Sequence, residues 1–286
     1  RSVDGGDTWE WMTVPGYEKR DFRDIEAFDA NTAIIIGIAE PAVILKTNDG
    51  GKSWRKVFED TAKGMFLDAM AFFDNRNGTV IGDPVKNNQA FEAYTTDQGE
   101  TWQKRMYYAY PNAHTLEEGE AFFASSGTNL HMLTVSGHFL MVSGGKASRL
   151  FHIGEKYSLP MMQGKESTGA NSVAVFKNRK AVIVGGDFSK DAIDTGNCVL
   201  VNLETMAFSK PQTNPHGYRS CVVYLNKNKL VACGTSGVDI STDGGNNWAL
   251  ITKESFHVVQ KAKKGKAVFL AGGGGKLGKL ITQKGQ

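Results

Sequence analysis

The chain has only three cysteines in 286 residues, Cys198, Cys221 and Cys233. They supply neither a disulfide framework nor the paired spacing of a zinc site. In "CVVYLNKNKLVAC", Cys221 and Cys233 lie symmetrically about Lys227, so a hairpin would face them across two strands. A disulfide is one account of that pair, and two small buried side chains is the other. Proline is scarce, at 7, and long apolar runs are missing. The longest, "AIIIGIA" and "KAVFLAGG", are strand length, against the roughly 20 residues of a membrane-spanning helix. No charge sign dominates, because 33 basic residues stand against 30 acidic ones. That balance leaves no basic stripe for nucleic acid, and "KAKKGK" at 261–266 reads as a solvated turn. HExxH, GxSxG, a P-loop and a dinucleotide fingerprint are also lacking. "AGGGGKLGK" at 271–279 has neither the strand-to-helix setting nor the terminal GK[ST] of a phosphate loop, and reads as a turn between strands.

What is plentiful is glycine, 33 residues, in a chain whose 41% hydrophobic and 22% charged content is that of a globular protein. Some of that glycine sits in a motif that recurs. "SVDGGDTW", "TNDGGKSW", "TTDQGETW" and "STDGGNNW" each carry an Asp, one or two Gly and a Trp five places after the Asp. The aspartates are Asp4, Asp49, Asp97 and Asp243, with gaps of 45, 48 and 146 residues. The last gap is close to three periods, so two further units are expected between residues 97 and 243 with their motif worn away.

Runs of five to seven residues fill each period. In the first unit they are "FRDIEAF", "TAIIIGI", "AVILKTN" and, after the motif, "SWRKVF". Such runs, rich in Val, Ile, Phe and Thr and parted by Gly, Asn and Asp, predict four antiparallel strands, a to d. The third unit reads as "GEAFFAS", "LHMLTVS", "HFLMVSG" and "RLFHIG". Four short strands at a period of 40–50 residues predict an all-β propeller of four-stranded antiparallel blades in one domain. Approximate blades are 22–58, 66–106, 119–162, 169–211, 217–252 and 255–286.

The motif falls between strands c and d. Gly50–Gly51 and Gly244–Gly245 supply the positive φ of a tight reversal, and Asp accepts backbone N–H groups of the same turn. Trp anchors the start of strand d. These four copies, with Asp4, Trp9, Asp49, Trp54, Asp97, Trp102, Asp243 and Trp248 as their fixed points, resemble Asp-box (BNR) repeats. Such repeats occur in sialidases, some endoglucanases, sortilin-like receptors and the photosystem II stability/assembly factor family. The "KT-DGG-(S/T)W" form on short blades is most similar to the assembly-factor-like group. The resemblance implies boxes placed away from any active site, a secreted or periplasmic location, and a protein or glycan partner. It carries the fold and not a function.

A propeller's d–a and b–c connections share one face. Aligning the six inner strands gives a polar column of Asp24, Asp68, Glu120, Asn171, Arg219 and His257. Arg23 neighbours it, with Tyr218 and Phe256, and the b–c connections add Glu40, Asp83, His138 and Asp187. One account has these groups line a water-filled mouth and satisfy each other, Arg219 with Asp24 or Asp68. The other makes them a binding rim, with Ca²⁺ as a candidate guest of its acidic part and no other cofactor implied. A sialidase is excluded: of nine arginines only Arg23 and Arg219 map to the rim, and "FRDI" lacks the proline of the "FRIP" start.

The leading expectation is therefore a non-enzymatic scaffold or binding module. The alternative is a secreted glycoside hydrolase using Asp68 and Glu120. The box at residue 2 is followed by a strand-d run, "TWEWMTV", while the last unit has a, b and c only. Residues 1–14 are thus expected to close the last blade in a ring of six, or else the parent ring has seven.

Overall fold

The computed structural model describes residues 1–106, 112–134 and 138–281. The end of "LHMLTVS", at 135–136, and the tail of the last blade, 282–286, lie outside those residues. The chain forms a ring of six antiparallel blades. The first is β1 (Phe22–Ala27), β2 (Ala33–Gly37), β3 (Ala42–Thr47) and β4 (Arg55–Asp60). The second is β5 (Leu67–Phe72), β6 (Gly78–Lys86), β7 (Gln89–Thr95) and β8 (Gln103–Lys104). In the third region the strands are β9 (Glu120–Ala121), β10 (Leu130–Met132), β11 (Phe139–Val142), β12 (Gly144–Gly145), β13 (Arg149–His152) and β14 (Glu155–Ser158). The fourth blade has β15 (Thr168–Phe176), β16 (Lys180–Asp187), β17 (Cys198–Asn202) and β18 (Ala207–Ser209). The fifth has β19 (Cys221–Tyr224), β20 (Leu230–Gly234), β21 (Gly237–Ser241) and β22 (Ala249–Thr252), and the sixth β23 (Val258–Lys261), β24 (Val268–Gly272) and β25 (Lys276–Lys279).

The core lies between blades. Ile34, Ile36, Ile44 and Leu67 join the first blade to the second. Comparable apolar clusters lie between each later pair up to the sixth. A central strand such as β2 is covered on both faces, which is why "AIIIG" reads as an unbroken apolar run rather than an alternation.

Each box is a closed hydrogen-bond knot. In the first blade the Thr47 hydroxyl accepts the Gly51 N–H (2.9 Å) and donates to Asp49 (2.8 Å). Asp49 also accepts the N–H and hydroxyl of Ser53 (2.9 and 2.6 Å), and Trp54 Nε1 donates to the Gly51 carbonyl (3.1 Å). Ser2, Thr95 and Ser241 repeat the pattern around their own aspartates. Gly50, Gln98 and Gly244 each donate to an a–b turn carbonyl of the same blade, so boxes and a–b turns share one face.

Two expectations change. The third unit's inner strand is not "GEAFFAS" alone. It is split into β9 and β10 by an eight-residue insertion, Phe122–Asn129, while β11 and β12 continue each other as strand b. "RLFHIG" therefore supplies strand c, β13, and strand d is β14, reached by a two-residue turn at Ile153–Gly154 with φ of 49° and 76°. Residues 1–14, in turn, do not add a fourth strand to the last blade, whose sheet is β23–β24–β25. The box at residues 2–9 instead packs on β24, with Trp9 edge-on to Phe269 at 6.1 Å and Lys279 donating to the Gly5 carbonyl (2.9 Å). Gly99 and Gly245 face strand b of the preceding blade at Ile34 and Val182 in the same way. The N-terminal segment thus stands between the sixth and first blades, where Val14 and Tyr17 cover Ile35, Val43 and Leu45.

Candidate functional site

The face opposite the boxes carries a mouth of about 890 Å³. Its walls come from the starts of the inner strands and the b–c connections, and they include six aromatic rings: Phe22, Phe66, Phe122, Phe123, Phe188 and Tyr218. Phe123 and Phe188 meet edge to face at 5.7 Å, and Phe188 leans on Tyr218 at 6.3 Å. Phe188 is 48% exposed.

The floor is the insertion 122–129, "FFASSGTN". The Phe122 N–H donates to Asp83 (2.9 Å), and Gly127 lies against the Asp24 carboxylate. Ser125 donates to Asn171 (2.9 Å), Ser126 to the Ser220 carbonyl (2.7 Å), and Thr128 to Ser172 (2.7 Å). One loop of the third blade thus touches the first, second, fourth and fifth, and closes the central channel as a plug.

The register of the inner strands is set by a glycine at the end of each strand b. Phe22 pairs with Gly37, Leu67 with Gly82, Glu120 with Gly145 and Ala170 with Gly185. A Cβ on Gly185 would sit 1.9 Å from the Gly169 carbonyl oxygen, and one on Gly234 2.1 Å from that of Tyr218, so only glycine lets the strands approach this closely. Counted from these glycines, Arg23, Asp68, Asn171 and His257 are equivalent. Asp24 falls one residue later, while Glu120 and Arg219 fall one earlier, which corrects the polar column expected from the sequence.

Of the eleven rim candidates, Arg23, Asp83, Asn171 and His257 line the mouth. Arg23 is held by Asp21 through Nε (2.8 Å) and Nη2 (2.7 Å), and Asn171 also accepts the Tyr218 hydroxyl (2.8 Å). The other seven lie elsewhere. Arg219 is fully buried and pairs with Asp239 (Nε, 2.6 Å), not with Asp24 or Asp68, and Asp239 also takes His216 Nδ1 (2.6 Å). Glu120 is buried against Arg149 (Nε, 2.9 Å) and the Ser143 hydroxyl. Asp187 is buried and accepts the Ser189 N–H and hydroxyl (2.9 and 2.7 Å). Glu40 is exposed and accepts the Gly64 N–H (3.0 Å), and His138 is exposed. The partners Arg149 and Asp239 are not expected from the sequence, because they lie on strand c, away from the inner strands and b–c connections that build a rim.

The acids facing the plug hold their protons tightly. Burial pushes Asp24 up to about 7 against the N–H groups of Met70 and Ile25 that it accepts (2.7 Å each). Burial likewise pushes Asp83 up to about 6, opposed by the Phe122 N–H. Asp68 is completely buried with both carboxyl oxygens lacking a hydrogen-bond partner. The Asp83 N–H beside it is already given to the Phe66 carbonyl at 3.1 Å. Its acidity is depressed strongly, by burial first and by Asp83 second. Ca²⁺, a candidate for the acidic rim, finds no group of three or more His, Cys, Asp or Glu able to hold a metal among the described residues. The three cysteines are buried and free, with Cys221 opposite Cys233 in register.

Comparison with known proteins agrees with the blades and boxes. The BNR/Asp-box repeat model matches residues 93–104, the second-blade box and its flanks. The chain is a β-propeller whose second blade carries the Asp-box repeat. No match is found among curated protein sequences. Among solved structures it is similar to YCF48 from Cyanidioschyzon merolae, with TM-score 0.59 and 18% identity over 93% of this chain and 83% of that one. A second structure, YCF48 bound to D1 peptide, gives TM-score 0.50 and 15% identity over 95% and 96% of the two chains. The GH74 xyloglucanase from Xanthomonas campestris gives TM-score 0.59 and 13% identity, with 92% of this propeller matching 45% of that enzyme. At these identities the likeness is one of fold. No helix among the described residues is long and apolar enough to cross a membrane.

Proposed function

We propose that this propeller is a non-catalytic binding module that holds a segment of a protein partner in its plugged, aromatic mouth. The observation that carries the reading is the mouth itself: a concave cavity of about 890 Å³ walled by six aromatic rings and floored by a loop tied to four other blades. Rigid aromatic walls around a few polar groups are the usual make-up of a recognition site. One structural neighbour, YCF48, is bound to D1 peptide, which favours a peptide over a glycan as guest. Placement outside the cytoplasm goes with this proposal and is checked by cell fractionation.

A glycoside hydrolase is the second reading, favoured by the GH74 neighbour. It is weakened by the state of the carboxylates it would use. Asp68 is sealed and Glu120 is neutralised by Arg149, so neither reaches the cavity. The test compares wild type with a Phe123→Ala/Phe188→Ala double variant against a displayed peptide library and a panel of β-glucans. Peptide binders lost in the double variant support the module. Turnover of any glucan that survives purification to homogeneity overturns it.

A further inference from the structure

The arginines around the mouth are spent elsewhere, and His257, which also lines it, makes no ion pair with either acid among the described residues. Arg23 is tied to Asp21, Arg149 to Glu120, and Arg219 to Asp239. Among the described residues no Lys, Arg or His comes within ion-pair distance of Asp68 or Asp83. Asp83 faces the cavity with the Phe122 N–H as its hydrogen-bond donor. Asp68, behind it, is 0% exposed, and both of its oxygens are orphaned. Taking Asp83 out of water without a counter-ion is costly, and since Asp68 behind it holds its proton, the charge left to be matched is that of Asp83. Aromatic rings line the same cavity, and their faces attract cations and cover aliphatic stems.

We propose that the mouth recognises a basic side chain, Lys or Arg, of the partner peptide, with its cationic head on Asp83 and its stem against the phenylalanine walls. The inference rests on the mouth being the binding site. It adds the charge of the guest. Asp68, which burial and the neighbouring Asp83 keep protonated, adds no charge and does not touch the guest. The chain as a whole carries +3, so a basic peptide is not drawn to the protein indiscriminately and depends on this local field.

The test is selection of random heptapeptides displayed on phage against the full chain. Binding constants of the selected peptides are then measured on wild type, Asp83→Asn, Phe188→Ala and the charge-matched control Glu155→Gln, which sits on the exposed outer strand β14. Asparagine keeps an acceptor for the Phe122 N–H, and thermal melts confirm that each variant is folded. The expected result is a fixed Lys or Arg in the selected sequences. Affinity should fall at least tenfold on Asp83→Asn, and equally when the basic residue is replaced by norleucine, with no change on Glu155→Gln. Peptides that lose binding on Phe188→Ala yet carry no fixed basic residue, or bind Asp83→Asn unchanged, overturn the cation inference and leave the mouth as a binding site. Peptides indifferent to Phe188→Ala, or no binders at all, remove both.

Discussion

Replacing Asp83 by asparagine takes away a carboxyl whose ionised form the fold penalises. Burial raises this group from 3.8 to about 6. At about 1.4 kcal/mol per tenfold change in proton affinity, that is a handicap of about 3 kcal/mol once the group is ionised. Solvent in the mouth screens part of it, leaving about 2–3 kcal/mol. The sign follows from the raised value: the folded state binds the proton more tightly than the unfolded chain. Its benefit is complete below about pH 4 and is lost as pH rises through about 6. Asp83→Asn should therefore gain on wild type between pH 4 and pH 7, by roughly 3–5 °C of melting temperature for a domain of this size. Melts of the two proteins by circular dichroism across pH 4–8 give the difference directly. Titrating groups not coupled to Asp83 cancel in that difference, including Asp24, raised to about 7, and half-buried His131, lowered to about 4. Asp68→Asn should follow the same direction. Parallel melting curves for wild type and Asp83→Asn over the whole range would refute the reasoning.

Three further outcomes are expected. Arg149→Met leaves Glu120 buried without its cation and should cost about 3–5 kcal/mol in urea unfolding, with most of it recovered by adding Glu120→Gln. Trp248, 3% exposed, should cost about 3–5 kcal/mol when cut to Ala, while Trp9, 40% exposed, should cost about 1 kcal/mol by the same measurement. Gly127→Ala places a Cβ 2.4 Å from Asp24 Cγ at a φ of +67°, and should destabilise by about 2–3 kcal/mol. The φ-matched control Gly154→Ala, which meets open space, should show in thermal melts only the backbone cost of about 1 kcal/mol.

The blades were legible because their determinants are local and periodic. A box such as Thr47–Trp54 closes its hydrogen bonds within eight residues, so its sequence is visible without knowing what surrounds it. The plug was not legible for the opposite reason. "GEAFFASSGTNLHM" contains two pieces of one strand separated by a loop whose side-chain anchors, from Asp83 to Ser220, lie largely on other blades. A hint was present all the same. "SSG" is turn chemistry in the middle of a run that had to be a single strand, and counting "EKYS" gives the third unit five strand-like runs in place of four.

The polar rim mixes groups with opposite physical roles, and that limits which of them can report on binding. Arg219 has the charge of an anion clamp for the mouth. With 0% exposure, and with Asp239, Ser236 and the Tyr218 and His216 carbonyls around it, it is a structural strut. Removing it strands Asp239 in the interior, so a loss of binding in an Arg219 variant would say more about folding than about recognition. The strand-b glycines separate the cases from sequence alone. They recur in "IIIG", "TVIG", "VSGG", "VIVGG", "VACG" and "FLAG". Counting from them puts Arg23, Asp68, Asn171 and His257 at one position, of which Arg23, Asn171 and His257 line the mouth while Asp68 is sealed, and leaves Arg219 one residue away. Register narrows which polar residues can face the mouth, because one residue of slip in a strand sends the side chain to the other face, and packing around each blade then decides, as the sealed Asp68 shows.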